Sequence, residues 1–203
     1  MNSLSTSLTL ASASSARRML LEDAGLHIRI RPVDLDEETL RKACTDAGLS
    51  LGKTAVSLAE SKARQAASLA EKDELILAAD QILDFKGAVF SKPATISEAR
   101  EQLLALRGGV HILRTAIVLW RGEKKLWEHL ASPSLTMRSF SEAFLDAYLE
   151  EEGERILSCV GAYRLEGPGV HLFSSIEGSQ DAILGLPRLP LLNELRRMGV
   201  LMS

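Results

Sequence analysis

The chain has 203 residues, 46% hydrophobic and 25% charged, with a formal net charge of −3. That balance fits a soluble protein of one domain, or of one domain with a sub-lobe, able to bury a core without disulfides, and the absence of a basic stripe argues against a dedicated binder of nucleic-acid polymers. No apolar run approaches the roughly 20 residues of a membrane span, and neither the cysteines (Cys44, Cys159) nor the histidines (His27, His111, His129, His171) fall at metal-ligand spacing.

In chain order, strand and helix patterns alternate, which points to an α/β fold. Ser7–Ala11 reads as a strand and Ala16–Ala24 as a helix that Gly25 ends. The N-terminus is Ser-rich and free of acids until Glu22, as transit peptides are, but its basic residues follow the apolar run instead of preceding it. A strand is expected at His27–Val33. Helices are expected at Glu38–Ala47 and Thr54–Ala70, the second rich in small residues. Leu75–Ala79 is a continuous apolar run, the mark of a strand buried on both faces. Ile82–Phe85 and Ala88–Phe90 flank Lys86-Gly87 as a hairpin. Thr95-x-x-Glu98 opens a helix to Leu106, and Ser139-x-x-Glu142 opens another over Glu142–Glu150. Between them lie strands at His111–Trp120 and Leu126–Met137. Val160–Leu165 and Val170–Ile176 read as strands, and Leu189–Met198 as a last helix ending at Gly199.

Four places carry chemistry-bearing residues. Ser12, Ser14, Arg17 and Arg18 lie at the first strand-to-helix turn. Free first-turn N–H groups, hydroxyls and a guanidinium can bind a phosphate there; a solvated arginine pair is the plainer reading. Asp80 ends the apolar run at the C-terminal end of a buried strand, where a carboxylate needs a cation, donors or a metal; a structural Asp bonding nearby backbone N–H groups is the alternative. Lys92 follows the hairpin, which could fold it back toward Asp80, while Lys62 fits a solvated helix face. Asp36-Glu37 either supplies oxygen ligands to a divalent ion or favours the next helix N-terminus. Neither GxGxxG nor GxxxxGK[ST] occurs.

These segments fall in a recognisable order: Leu10 to Arg18, Asp36-Glu37, Leu58 to Ala63, Ala78-Ala79-Asp80-Gln81, Ser91-Lys92-Pro93, Gly161-Ala162-Tyr163 with Glu166 to Gly169, and Leu184 to Pro187. The set resembles the Maf family of nucleoside triphosphate pyrophosphatases over nearly the whole chain. The resemblance implies a single domain over 1–203. Its expected fold is α/β, a mixed, strongly bent sheet with flanking helices and a deep cleft between two lobes, as in inosine triphosphatases. It implies hydrolysis of a nucleoside triphosphate to the monophosphate and pyrophosphate with Mg²⁺ or Mn²⁺, in the cytoplasm and as a homodimer. By the same resemblance Asp80 is the proton acceptor. Ser12, Ser14, Arg17, Arg18, Glu37, Lys62 and Lys92 are the candidate substrate-binding residues, and Asp80 either deprotonates the attacking water or, with Glu37, holds the metal. Gln81 and Glu166 match the branch that prefers 7-methyl-GTP. Ala16, where that branch carries Trp, departs from it, as Ser91 departs from the family's usual Gly. A dTTP/UTP-preferring enzyme and a nucleotide-binding regulator of cell division that needs no hydrolysis are the competing readings.

Overall fold

The computed structural model describes residues 8–202; Ser7, at the start of the first expected strand, lies outside them. The elements run β1 (Leu8–Leu10), α1 (Ser15–Asp23), β2 (Ile28–Ile30), α2 (Glu37–Asp46), α3 (Leu51–Ser68), β3 (Leu75–Phe85), β4 (Ala88–Phe90), α4 (Ile96–Leu106), β5 (Val110–Arg121), β6 (Lys124–Ala131), β7 (Ser134–Met137), α5 (Glu142–Glu152), β8 (Phe173–Glu177), α6 (Gln180–Ile183) and α7 (Arg188–Arg197). Two 3-10 helices, Gly153–Ser158 and Pro168–Leu172, lie between α5 and β8. The strands are hydrogen-bonded in the order β2-β1-β3-β5-β7-β8, with β4 on β3 and β6 on β5. Pairing of β1 with β2 and β3 is parallel and the hairpins are antiparallel, so the α/β sheet is mixed.

The chain divides into two compact units, and β3 and β5 each run from one into the other. The first unit holds residues 1–81, 115–131 and 179–203. Its core gathers Leu8 and Leu10 of β1, Leu20 and Leu21 of α1, Leu75 and Leu77 of β3, Ile117 and Leu119 of β5, and Leu191 and Leu195 of α7. The register sets Leu8 beside Leu75 and Leu10 beside Leu77. Every residue of β3 from Leu75 to Asp80 is buried, as the uninterrupted apolar run requires.

The second unit holds residues 82–114 and 132–178. Leu83, Leu103, Leu106, Leu113, Leu135, Leu145, Ile156 and Leu172 are among its fully buried side chains. Four expectations need correcting here. Ile82–Phe85 is not a separate strand but the continuation of β3. The strand expected over Leu126–Met137 is two, because Pro133 has no N–H for the ladder and its carbonyl instead accepts from Leu113 N. Helix α5 is capped by Ser141, whose side chain accepts from Phe144 N, and not by Ser139. Finally, Val160–Leu165 forms no strand: Gly161 and Ala162 both have left-handed backbone, φ 79° and 57°, which turns the chain sharply. A Cβ at Gly161 would lie 2.5 Å from Leu83 Cδ1, so only glycine fits there.

That turn delivers Tyr163 to His111. The two are buried and share a hydrogen bond of 2.8 Å between Tyr163 Oη and His111 Nε2, while His111 Nδ1 has no partner among the described residues. Burial pushes the His111 pKa down to about 4. Unfolding frees the ring to take a proton near its ordinary value of roughly 6.5, so the unfolded state binds the extra proton between those limits. Stability carried by neutral His111 is therefore complete above about pH 6.5 and falls as pH drops toward 4, by about 3 kcal/mol in all. Urea denaturation of wild type and His111→Gln at pH 7, 5.5 and 4.5 reads this: wild type is expected to lose more stability than the variant. Parallel losses would remove His111 as the cause.

Candidate active site

All the geometry of this site belongs to the first unit. Helix α3 packs through Ala55, Ala59, Ala63 and Ala66, all fully buried, a small-residue stripe that lets the helix approach closely. Lys62, beside that stripe, reaches across to the end of the apolar run in β3. Its Nζ lies 2.6 Å from Asp80 Oδ1 and 2.7 Å from Glu37 Oε1. The side chains of Lys62 and Asp80 are only 12% and 6% exposed, whereas Glu37 is half open. The solvated helix face expected for Lys62 is thus overturned. Asp36 caps α2, accepting from Thr39 N at 3.0 Å, and this sets Glu37 in the first turn with its carboxylate on Lys62.

Burial pushes the Asp80 carboxyl above its ordinary range. The Lys62 ammonium opposes that shift most strongly, Glu37 adds to it, and the Arg17 guanidinium opposes it more weakly. The carboxyl therefore has a raised proton affinity with a cation beside it, an electrostatic setting in which a carboxylate can accept a proton.

Arg17 enters from α1. Ser14 is the helix N-cap, its Oγ accepting from Arg17 N at 3.3 Å, and Ser12 Oγ accepts from Ser14 N at 3.2 Å. The guanidinium donates through Nε to the Gly185 carbonyl at 2.9 Å and through Nη1 to Ser12 Oγ at 3.2 Å. Burial lowers its pKa, and the charges of Asp80 and Glu37 push back. Arg17 therefore shares one electrostatic field with Asp80. Arg18 points elsewhere: it is exposed and pairs with Glu22 at 2.8 Å one turn along. Ala16 lies part-buried in the first turn of α1.

Gln81 follows Asp80 on the strand and so lies on the opposite face. Its Nε2 donates to Thr115 Oγ1 at 2.8 Å and to the carbonyls of Ala182 and Ile183 at 3.0 Å each. Lys92 and Glu166 are exposed residues of the second unit, Lys92 just after β4 and Glu166 just before the 3-10 turn at Pro168. Thr115 and Gly185 went unnoticed as site residues. Gly185 stands in the Leu184-to-Pro187 motif; its φ of 93°, and the 3.0 Å that would separate an added Cβ from Arg17 Nε, give the motif its physical reason. Thr115 had no signal, since a Thr within a strand is ordinary.

Residues 7–198 match the model of the Maf-like proteins. The chain belongs to that family. A relative of this Maf-like protein from Gluconobacter oxydans (strain 621H), named nucleoside triphosphate pyrophosphatase, is 63% identical over 201 residues and 99% of each chain. Another from Rhizobium meliloti (strain 1021), named 7-methyl-GTP pyrophosphatase, is 42% identical over 194 residues, 96% of this chain and 97% of its own. Among solved structures, a HAM1 protein from Coxiella burnetii aligns at 21% identity with a TM-score of 0.45, covering 65% of this chain and 73% of its own.

Among the described residues no group of three or more His, Cys, Asp and Glu side chains is arranged to hold a metal ion. The two carboxylates on Lys62 nonetheless suit Mg²⁺ or Mn²⁺, which need only one or two carboxylates when substrate phosphates supply further oxygens. No helix of the described residues is long and apolar enough to cross a membrane.

Proposed function

We propose that this chain hydrolyses a nucleoside triphosphate to the monophosphate and pyrophosphate, as a single functional domain over 1–203. The observation that carries the reading is Asp80: a buried carboxylate of raised proton affinity, set on Lys62 and inside the field of Arg17. Asp80 takes a proton from water as its oxygen bonds to the α-phosphorus. The bond from that phosphorus to the α–β bridging oxygen breaks, and pyrophosphate leaves with the electron pair. Arg17, with the Ser12–Ser14 turn and the first-turn N–H groups of α1, binds the phosphates. Lys62 keeps Asp80 ionised. Arg18 and Lys92, both exposed, add positive charge for the polyphosphate.

Asp80 and Glu37 would hold the divalent ion, which when bound offsets triphosphate charge and polarises a phosphoryl oxygen. The substrate class is a modified or non-standard nucleotide, 7-methyl-GTP first. Glu166 favours it, its carboxylate being matched to the N–H donors of a guanine edge; Gln81 marks the same branch by resemblance only, and several relatives carry that name. Ala16 offers no ring to stack on the methylated base. The enzyme would work as a homodimer on the free nucleotides of the cytoplasm, not on nucleic-acid polymers.

Pyrophosphate release with Mg²⁺ or Mn²⁺, measured over 7-methyl-GTP, GTP, dTTP, UTP, CTP and 5-methyl-UTP, tests this. Strongest turnover on 7-methyl-GTP is expected. Preference for dTTP and UTP would keep the hydrolysis and reject the 7-methyl-GTP assignment. Binding without turnover on any nucleotide would make the chain a regulator instead.

A further inference from the structure

The Ala182 carbonyl is a buried node in the first unit. It accepts from Thr115 Oγ1 at 2.8 Å, from Gln81 Nε2 at 3.0 Å and from Gly185 N at 3.2 Å. Thr115 is fully buried in β5. Its hydroxyl accepts from Gln81 and donates to Ala182, which uses its single proton and orients the glutamine amide. Three acceptors (Thr115 Oγ1, Ala182 O and Ile183 O) surround Gln81 Nε2, two of them carbonyls that cannot donate, so the nitrogen and not the oxygen of the amide faces them.

Beyond this node the chain makes one tight turn to Gly185, whose carbonyl accepts from Arg17 Nε. The turn is pinned again by Arg188, which is bidentate to Asp181 at 2.7 and 2.8 Å and donates to Leu20 O of α1 at 3.4 Å. Because Gln81 and Asp80 face opposite sides of β3, Gln81 touches this turn and not the carboxylate site.

We infer that Thr115 and Gln81 are positioning residues for Arg17: together they clip the Ala182–Gly185 turn, whose last carbonyl aims the guanidinium. This rests on the assignment of Arg17 to the substrate phosphates. It gives Gln81 an effect on catalysis without contact to the base. A guanidinium held by one carbonyl and one hydroxyl keeps its remaining N–H groups in a fixed direction, and small misplacements of such a group cost rate steeply.

The test uses Thr115→Val, which swaps the hydroxyl for a methyl at nearly constant volume, Thr115→Ser, which keeps the hydroxyl, and Gln81→Met, should Thr115→Val fold poorly. The first readout is the NMR signal of the Arg17 Nε–H, assigned by its loss in Arg17→Lys. It is expected to exchange slowly in wild type and Thr115→Ser, and fast in Thr115→Val and Gln81→Met. The second readout is kcat/KM over the nucleotide panel. Thr115→Val is expected to lower it by a similar factor for every nucleotide, on the order of tenfold, with Thr115→Ser restoring it. In the Arg17→Lys background Thr115→Val should add little, since the two act on one interaction. An unchanged Arg17 signal with unchanged kcat/KM, and only a lower Tm, overturns the inference. So does a change in the ratio between 7-methyl-GTP and dTTP in place of a uniform loss, which would put Gln81 on the base. Should wild type release no pyrophosphate, the hydrolase reading fails, while the Arg17 signal still decides the positioning claim.

Discussion

Asp80→Asn is expected to lower pyrophosphate release on the order of 10²–10⁴-fold with the fold intact. Asparagine matches aspartate in size, so the buried end of the β3 run stays filled. The amide cannot take the proton that attacking water must lose. The structural cost is small because two effects oppose each other. Lys62 loses its 2.6 Å carboxylate partner but keeps Glu37 at 2.7 Å. In exchange, the desolvation that raises the Asp80 pKa no longer acts on a charge. Thermal melts and circular dichroism should therefore match wild type closely while turnover is lost. Most of the activity surviving in a folded variant would remove Asp80 from the role of base. A Mn²⁺ titration separates the two uses of the carboxylate: activity partly recovered at high Mn²⁺ marks a ligand, and activity that stays lost marks the proton acceptor.

What could be read from the chain beforehand follows from how local each interaction is. Leu75 to Asp80 announced itself because burial on both faces leaves an unbroken apolar run, and a carboxylate at its end has few stable surroundings. The capping residue Thr95 was legible because its bond closes within three residues. The break at Pro133 and the left-handed pair Gly161-Ala162 were not, although proline was a fair warning of the first. An alanine at φ 57° runs against its own preference; here it is fully buried, its N–H donating to Cys159 O and its carbonyl accepting from Tyr148 Oη. Periodicity alone puts Lys62 on a solvated face because it describes one helix, and only the fold brings Asp80, 18 residues away, to its ammonium. Thr115 lies 67 residues from Ala182, and nothing near it in sequence hints at the bond. His111 was silent for the same reason, its partner being 52 residues distant.

The second large effect falls on Lys62. Methionine there keeps an unbranched aliphatic side chain on α3 and removes the ammonium. Lys62 is the strongest influence holding the Asp80 pKa down against burial, so its loss moves that pKa further up. The reaction needs the ionised carboxylate. A higher pKa shrinks the ionised fraction at any given pH below it, and the acid limb of the kcat/KM profile must move toward alkaline pH. At pH 7 the loss is expected to be on the order of a hundredfold, shrinking as pH rises. Glu37 sharpens the shift: its charge raises the Asp80 pKa, and with the shared cation gone the Lys62 ammonium no longer offsets it. Adding Glu37→Gln to Lys62→Met should therefore bring the acid limb part of the way back, although the double variant carries fewer charged groups for substrate than either single one. A pH-rate series over wild type, Lys62→Met and the double variant reads this directly. A loss in Lys62→Met that is equal at every pH would mean that the ammonium serves the phosphates alone and does not tune the base.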